Sequence, residues 1–335
     1  MDGGHFNLSD VRSQLEFYLN APAPPLVVTL PEMGYRPVLS PDGRLLASVI
    51  QGTVISLWDT TTGQNISSLS KHEQPVVAMT FSPDGKSLAS VDMVGMIVLW
   101  NVATQEQIHI FTLPQTWRYS LAFSPNSRFF ASSAEGLVSL WDVTTGAQTG
   151  QFEALFGVSN LAFSPDGKYL AAADLSSVHL WDISAGQEEQ LQIENTSSLI
   201  SKVPVIYSLD GQKLIYAACS QTDGQVSNCL ASEILLWDIG KRQLFTSFGG
   251  PTAEVTEMAI SPDGILLAAS FCFQTGSSGC SGSQVLIWNL ATLKRFYEFN
   301  IEGGIKDLVF SVEGRTLIAS SDNNTISFWD ISWIK

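Results

Sequence analysis

The segment Val76–Asn101 reads VVAMTFSPDGKSLASVDMVGMIVLWN. Within it, Ser82–Gly85 has the composition of a type I turn, because Pro fixes φ at the second position and Gly accepts a positive φ at the last. The apolar stretches on either side are typical of short strands. The segment therefore predicts three antiparallel strands, the first two of which are joined by a tight turn.

The same pattern recurs along the chain. The turn Ser-Pro-Asp-Gly, or a degenerate copy of it, begins seven times, at Ser40, Ser82, Ser124, Ser164, Ser208, Ser261 and Ser311. After each turn an aliphatic strand ends in Trp followed by Asp or Asn, at Trp58, Trp100, Trp141, Trp181, Trp237, Trp288 and Trp329. Four short strands in about 40 residues are typical of one propeller blade. The sequence therefore predicts an all-β fold, a single seven-bladed β-propeller of four-stranded blades.

The succession of Phe-Ser-Pro-Asp-Gly, Leu-Ala-Ser and Leu-Trp-Asp resembles the WD-repeat (β-transducin-like) family over residues 25–335. Members of the family often carry a buried His-Ser-Asp-Trp network in each blade. Only Lys71-His72 approximates the Gly-His pair that supplies its histidine. Gln51, Val94 and Glu135 lie near the position of its aspartate, so the resemblance implies that the network is largely absent here.

The chain ends six residues after Trp329, so the last repeat lacks a fourth strand. Residues 26–30 (LVVTL) stand at the offset of an outer strand, and we expect them to pair with the last blade and close the ring. Residues 1–24 form an N-terminal extension, in which Leu8, Val11, Leu15 and Leu19 have helical spacing. They predict a short helix packed on the propeller, with a partner-binding helix or a linker remnant as alternatives.

Two repeats have longer hairpins between their second and third strands, and these contain all four cysteines: Cys219, Cys229, Cys272 and Cys280. Matched offsets from the turn Ser and the Trp favour two local disulfides, Cys219–Cys229 and Cys272–Cys280. This pairing points to an extracytoplasmic or secreted location. Four reduced thiols in a cytoplasmic protein are the alternative, followed by a zinc site, which the absence of C-x-x-C spacing disfavours. The fifth repeat also has a longer loop before its inner strand, Asn195–Lys202.

Residues four positions before each turn Ser should point toward the central channel or its rim: Arg36, Ala78, Ser120, Asn160, Pro204, Glu257 and Asp307. Aromatic and charged side chains adjoin them. Because aromatic residues and Arg are common interface anchors, we select eight candidates for partner binding: Tyr35, Arg36, Trp117, Arg118, Tyr119, Glu257, Lys306 and Asp307. A water-filled channel mouth is the alternative interpretation.

The formal net charge of −15 disfavours nucleic acid as a partner, and no apolar run approaches the length of a membrane span. His5, His72, His109 and His179 are scattered, and no catalytic or cofactor motif is present. We therefore predict no catalytic residues, no metal and no cofactor. The predicted function is a protein- or peptide-binding scaffold, monomeric by itself, that uses the channel mouth and the face with the elongated hairpins. A propeller enzyme or small-ligand sensor using the channel is the alternative.

Overall fold

A computed structural model of the chain describes residues 26–29, 35–116, 119–154, 157–158, 160–174, 177–183, 187–189, 204–222, 229–249, 253–276, 279–323 and 325–334. These residues contain strands and turns but no helix. They form seven four-stranded antiparallel sheets, which confirms the seven-bladed propeller. The short helix expected within residues 1–24 lies outside the described residues.

The first three complete blades follow one another along the chain. Blade 1 contains β2 (Tyr35–Leu39), β3 (Leu45–Ile50), β4 (Val54–Asp59) and β5 (Asn65–Ser70). Blade 2 contains β6 (Val76–Phe81), β7 (Ser87–Asp92), β8 (Met96–Asn101) and β9 (Gln107–Thr112). Blade 3 contains β10 (Ser120–Phe123), β11 (Phe129–Ala134), β12 (Leu137–Asp142) and β13 (Gln148–Glu153).

The next three blades repeat this order. Blade 4 contains β14 (Asn160–Phe163), β15 (Tyr169–Ala173), β16 (Val178–Asp182) and β17 (Gln187–Glu189). Blade 5 contains β18 (Val205–Tyr207), β19 (Lys213–Thr222), β20 (Cys229–Asp238) and β21 (Gln243–Gly249). Blade 6 contains β22 (Val255–Ile260), β23 (Leu266–Gly276), β24 (Gly279–Asn289) and β25 (Lys294–Glu302).

Blade 7 is shared between the two ends of the chain. It contains β26 (Ile305–Phe310), β27 (Thr316–Ser321), β28 (Thr325–Asp330) and, as its outer strand, β1 (Leu26–Thr29). β1 runs antiparallel to β28, with Leu26 opposite Phe328 and Thr29 opposite Thr325. The expected ring closure by the N-terminal strand is confirmed.

The Ser-Pro-Asp-Gly turns are held by side-chain bonds that the sequence motif explains. The Ser82 hydroxyl donates to Asp84 Oδ1 (2.7 Å) and accepts from the Ser87 N–H (2.9 Å). Gly85 has φ of 69° and closes the turn by donating to the Ser82 carbonyl (2.8 Å). Equivalent bonds recur at Ser40, Ser124, Ser164, Ser208 and Ser261. The repeat therefore encodes one rigid hairpin per blade.

The apolar core lies between neighbouring blades rather than at one centre. One cluster joins Ala89, Val91 and Leu99 of blade 2 to Phe123 and Phe130 of blade 3. In the same layer the rings of Phe111 and Trp141, from these two blades, have centroids 4.6 Å apart. Trp181 and Trp329 are among the largest fully buried side chains. The repeated Trp thus contributes to the stacking of one sheet on the next.

Blade 2 contains a complete buried His-Ser-Asp-Trp network, which corrects the expectation for this blade. His72 Nδ1 lies 3.1 Å from Asp92 Oδ2, and His72 Nε2 lies 2.7 Å from Ser90 Oγ. Trp100 Nε1–H donates to the same Ser90 oxygen (2.9 Å). The aspartate, expected near Val94, is Asp92, the last residue of β7. Asp92 Oδ1 accepts the N–H groups of Val94 (3.1 Å) and Met96 (2.9 Å) and so also holds the hairpin to β8.

The other blades retain only parts of this network. Trp58 Nε1–H donates to Ser48 Oγ and Trp141 Nε1–H to Ser132 Oγ, both at 2.9 Å. In blade 4, Ala172 takes the place of this Ser, and Trp181 Nε1 is buried with no hydrogen-bond partner. His179 of this blade is also buried and lies 2.9 Å from Asp174 Oδ2. His72 and His179 are therefore both part of buried polar clusters.

The buried His72 predicts a pH dependence of stability. Burial lowers the pKa of the imidazole below its ordinary value of 6.5, although the hydrogen bond to Asp92 acts in the opposite direction. Below pH 6.5 the unfolded chain therefore binds more protons at this site than the folded chain does, and stability falls as the pH falls. We expect chemical denaturation between pH 7.5 and 5 to show a loss of unfolding free energy. A His72→Asn variant should be less stable at pH 7.5 but show a weaker dependence on pH, and an unchanged dependence would contradict the assignment.

Candidate functional site

The propeller has two faces with different loops. The Ser-Pro-Asp-Gly turns and the turns after each Trp lie together on one side, which we call the turn face. The hairpins between second and third strands lie on the other side with the loops that enter each first strand, and we call this the hairpin face. This division follows from the antiparallel order of the four strands in every blade.

A cavity of about 730 Å³ lies where the first strands of six blades converge. Its lining includes six of the seven residues that stand four positions before a turn Ser: Arg36, Ala78, Ser120, Asn160, Glu257 and Asp307. Tyr119 and Lys306 also line it. Pro204, the seventh such residue, is buried and is not part of this lining. Of the other candidates, Trp117 and Arg118 lie outside the described residues, and only the backbone of Tyr35 is described, at the start of β2.

Three of the candidate residues that line the cavity, Arg36, Lys306 and Tyr119, have different surroundings. Arg36 has φ of 57° at a bulge in β2, and desolvation lowers the pKa of its guanidinium. Lys306 Nζ lies 3.0 Å from Asp322 Oδ2 in an exposed ion pair. The Tyr119 hydroxyl donates to the Pro114 carbonyl (3.1 Å) and accepts from the Thr116 N–H (3.0 Å), while burial raises its pKa.

Two of the lining residues also connect neighbouring blades. Asp307 Oδ2 accepts the N–H of Leu39 (2.8 Å), which links blade 7 to blade 1. Asn160 Oδ1 accepts the N–H of Val205 (3.2 Å), which links blade 4 to blade 5. These side chains therefore have a structural role at the channel that the sequence alone did not indicate.

The elongated hairpins of blades 5 and 6 project from the hairpin face. β19 and β20 have 10 residues each, and β23 and β24 have 11 each, whereas their counterparts in other blades have five or six. The Cys272–Cys280 disulfide is present, with a Cα–Cα distance of 5.7 Å. Cys219 is also disulfide-bonded. The side chain of Cys229 lies outside the described residues, so the Cys219–Cys229 pairing stays a prediction. The longer loop before the inner strand of the fifth repeat, Asn195–Lys202, also lies outside them.

The two hairpins share one internal register. Cys219 lies opposite Ser232, and Cys272 lies opposite Ser283, with register shifts at the same places just beyond each cysteine. The Ser232 hydroxyl donates to the Ala253 carbonyl (2.6 Å), and the Ser283 hydroxyl donates to the Gly303 carbonyl (2.7 Å). Each hairpin base is thus tied to the loop that enters the next blade.

The family model for the WD domain, G-beta repeat, matches residues 63–101, 105–142, 148–182 and 293–330, within the same seven-sheet ring. The chain is a seven-bladed β-propeller that contains four matched WD repeats. The WD repeat-containing protein SL1-17 of Schistosoma mansoni is 29% identical over 136 residues, which cover 39% of this chain and 42% of that protein. The match therefore spans less than half of the relative's length. A chain in the crystal structure of a mitotic checkpoint complex has a TM-score of 0.73 at 16% identity, covering 92% of both chains, and this is a likeness of fold.

Sequence reasoning missed an exposed aromatic residue on the hairpin face of this propeller. Phe273 follows Cys272 at the bulge of β23 and is 53% exposed, whereas Phe271 two residues earlier is buried. The sequence feature that could have indicated it is an aromatic residue beside a cysteine in an otherwise Gly- and Ser-rich hairpin. Met93 and Val94 of the β7–β8 hairpin are further exposed apolar side chains on this face.

In the described part of this propeller, no group of three or more His, Cys, Asp or Glu side chains could hold a metal ion. Within the same residues, no helix is long and apolar enough to cross a membrane.

Removing the blade 6 disulfide of this WD-repeat propeller should lower its stability. On the chain-entropy model, opening so short a loop costs about 2–3 kcal/mol, and we expect Cys272→Ser/Cys280→Ser to lower the melting temperature by about 5 °C. Calorimetry of oxidised protein checks this. The single Cys272→Ser variant is the control, since its melting temperature should fall as much as that of the double variant. Equal melting of the double variant and the oxidised parent would contradict a stabilising role.

Proposed function

We propose that the chain is a non-catalytic scaffold that binds a protein or peptide on its hairpin face, over blades 5 and 6 and the cavity mouth. WD-repeat propellers generally serve as protein-interaction scaffolds, which supports the class of function. The observation that carries the location is Phe273, an exposed aromatic side chain on a disulfide-bonded hairpin. The strand that bears it pairs with β22, which supplies Thr256 and Glu257 to the cavity.

The physical argument is preorganisation. An aromatic side chain is a large apolar anchor, and anchors of this kind dominate many protein interfaces. Ordering a flexible loop on binding costs free energy, so a loop that is already fixed binds more tightly. The Cys272–Cys280 disulfide and the bond from Ser283 to Gly303 fix both ends of the segment around Phe273. The disulfide also favours an oxidising, extracytoplasmic location, with the cytoplasm as the alternative.

Capture of partners by the full chain tests this proposal. Phe273→Ala should reduce capture of at least one specific partner about tenfold, the effect of losing one strong anchor. Phe296→Ala is the matched control, because Phe296 is 46% exposed on the outer strand of the same blade. Quantitative mass spectrometry of proteins bound to the parent and to both variants gives the readout. If the parent and both variants retain the same proteins equally, the hairpin is not the recognition surface.

The size of the cavity favours a small-ligand sensor as a second candidate. Pockets for small molecules usually have volumes of about 300–1,000 Å³, and this cavity of about 730 Å³ falls within that range. Native mass spectrometry of the protein purified from its source should then detect a bound small molecule. That molecule should be lost in a variant that fills the cavity, such as Ala78→Phe.

A further inference from the structure

The cations of this acidic chain are concentrated on one face. More than half of the 17 Lys and Arg residues lie in or beside the turns of the turn face: Arg44, Lys86, Arg128, Lys168, Lys213, Lys241, Arg242, Lys294, Arg295 and Arg315. Several of them pair with the repeat's own acids. Lys213 Nζ lies 3.0 Å from Asp238 Oδ2, and Arg128 Nε lies 3.4 Å from Asp142 Oδ2. Lys168 Nζ lies 3.6 Å from Asp182 Oδ2. The turn face thus neutralises much of its own charge.

The hairpin face has the opposite composition. Its described carboxylates that reach the surface are Glu73, Glu135, Glu153, Glu233, Glu254, Glu257, Glu302, Asp307 and Asp322, whereas Asp92 and Asp174 are buried beside His72 and His179. Among the described residues, the cations on this face are Arg36, Lys71 and Lys306. Among the described residues of the face that carries the two hairpins, surface acids therefore outnumber cations.

The excess of acids over cations is strongest around the elongated hairpins. The described acids from the hairpin of blade 5 to the hairpin of blade 7 are Glu233, Glu254, Glu257, Glu302, Asp307 and Asp322. Lys306 is the one cation among the described residues of this sector, and it is already paired with Asp322. Phe273 lies within the same sector. Among the described residues of this sector, carboxylates outnumber cations, which favours association with cationic surfaces over anionic ones.

We propose that the partner of the hairpin face is a Lys- and Arg-rich peptide segment that places an apolar side chain against Phe273. The inference rests on the proposed function and specifies its partner class. Cationic side chains of such a segment lie over the Glu233, Glu254 and Glu302 sector, while the hairpin supplies the apolar contact. Charge complementarity fixes the orientation and speeds association, and it weakens as ionic strength rises.

Selection from a random peptide display library against the folded full chain tests the inference. Peptides that bind the parent but not Phe273→Ala should be enriched in Lys and Arg relative to the library. Phe273-dependent peptides without such enrichment would overturn the partner class while leaving the proposed function intact. A selection that yields no Phe273-dependent peptide would overturn both.

The second measurement reverses charges on the protein where a selected peptide binds. Glu233→Lys/Glu302→Lys should weaken its binding about tenfold at low salt, and the difference should shrink as salt is added. Glu106→Lys/Glu313→Lys is the matched control, because it changes the net charge equally but on the turn face. Equal weakening by both double variants would mean that only the overall charge acts, and it would overturn the inference.

Discussion

Deletion of residues 25–30 should lower the melting temperature by about 10 °C and produce oligomers. The deletion removes β1, the outer strand of blade 7, and with it the pairing of Leu26–Thr29 with β28. An unpaired edge strand offers a row of free N–H and C=O groups to other chains. Calorimetry and size-exclusion chromatography with light scattering measure the two effects.

Deletion of residues 1–24 alone is the control for this experiment, since it leaves β1 and its pairing with β28 in place. This shorter chain should retain most of the melting temperature and remain in the same oligomeric state. A deletion of residues 25–30 that melts like the parent and stays monodisperse would show that the ring does not depend on its N-terminal strand.

Ser90→Ala should lower the free energy of unfolding by about 3–4 kcal/mol. The Ser90 hydroxyl accepts from Trp100 Nε1–H (2.9 Å) and lies 2.7 Å from His72 Nε2, and all three side chains are buried. Its removal leaves two buried polar groups without these partners, and each such group costs about 1–3 kcal/mol. Urea denaturation at pH 7.5 measures the loss.

Ser132→Ala offers a matched comparison in the next blade. Ser132 Oγ accepts from Trp141 Nε1–H (2.9 Å), but no histidine takes part in this bond. We therefore expect a smaller loss of about 1–2 kcal/mol. Equal losses of unfolding free energy for the two variants would mean that the contact between His72 and Ser90 adds nothing to stability.

Local turn chemistry made most of the fold predictable from the sequence. Each Ser-Pro-Asp-Gly motif is satisfied within six residues, as in Ser82–Ser87, so its structure does not depend on distant parts of the chain. The Trp positions and the surplus strand Leu26–Leu30 then fixed the number of blades. The absence of helix among the described residues and the pairing of β1 with β28 agree with this interpretation.

The site was less predictable because its contacts cross between blades. Asp307 binds the backbone of Leu39, and Asn160 binds that of Val205, and neither partner is near in sequence. The aspartate of the blade 2 network, Asp92, lies two residues before its expected position near Val94, because the hairpin geometry that places it is not visible in spacing alone. Alternation of buried and exposed residues along β23 predicts that Phe273 is buried like Phe271. However, β22 begins opposite Phe271 and does not extend to Phe273.

The closure of blade 7 also has a consequence for biosynthesis. Leu26 and its partner Phe328 are separated by about 300 residues, and ribosomes add roughly 5–20 residues per second. β1 therefore leaves the ribosome roughly 15–60 s before the strand it pairs with exists. During that interval each completed blade can stack on its predecessor, but the ring stays open. The pairing of highest sequence separation is therefore the last that can form, and β1 has no partner strand until then.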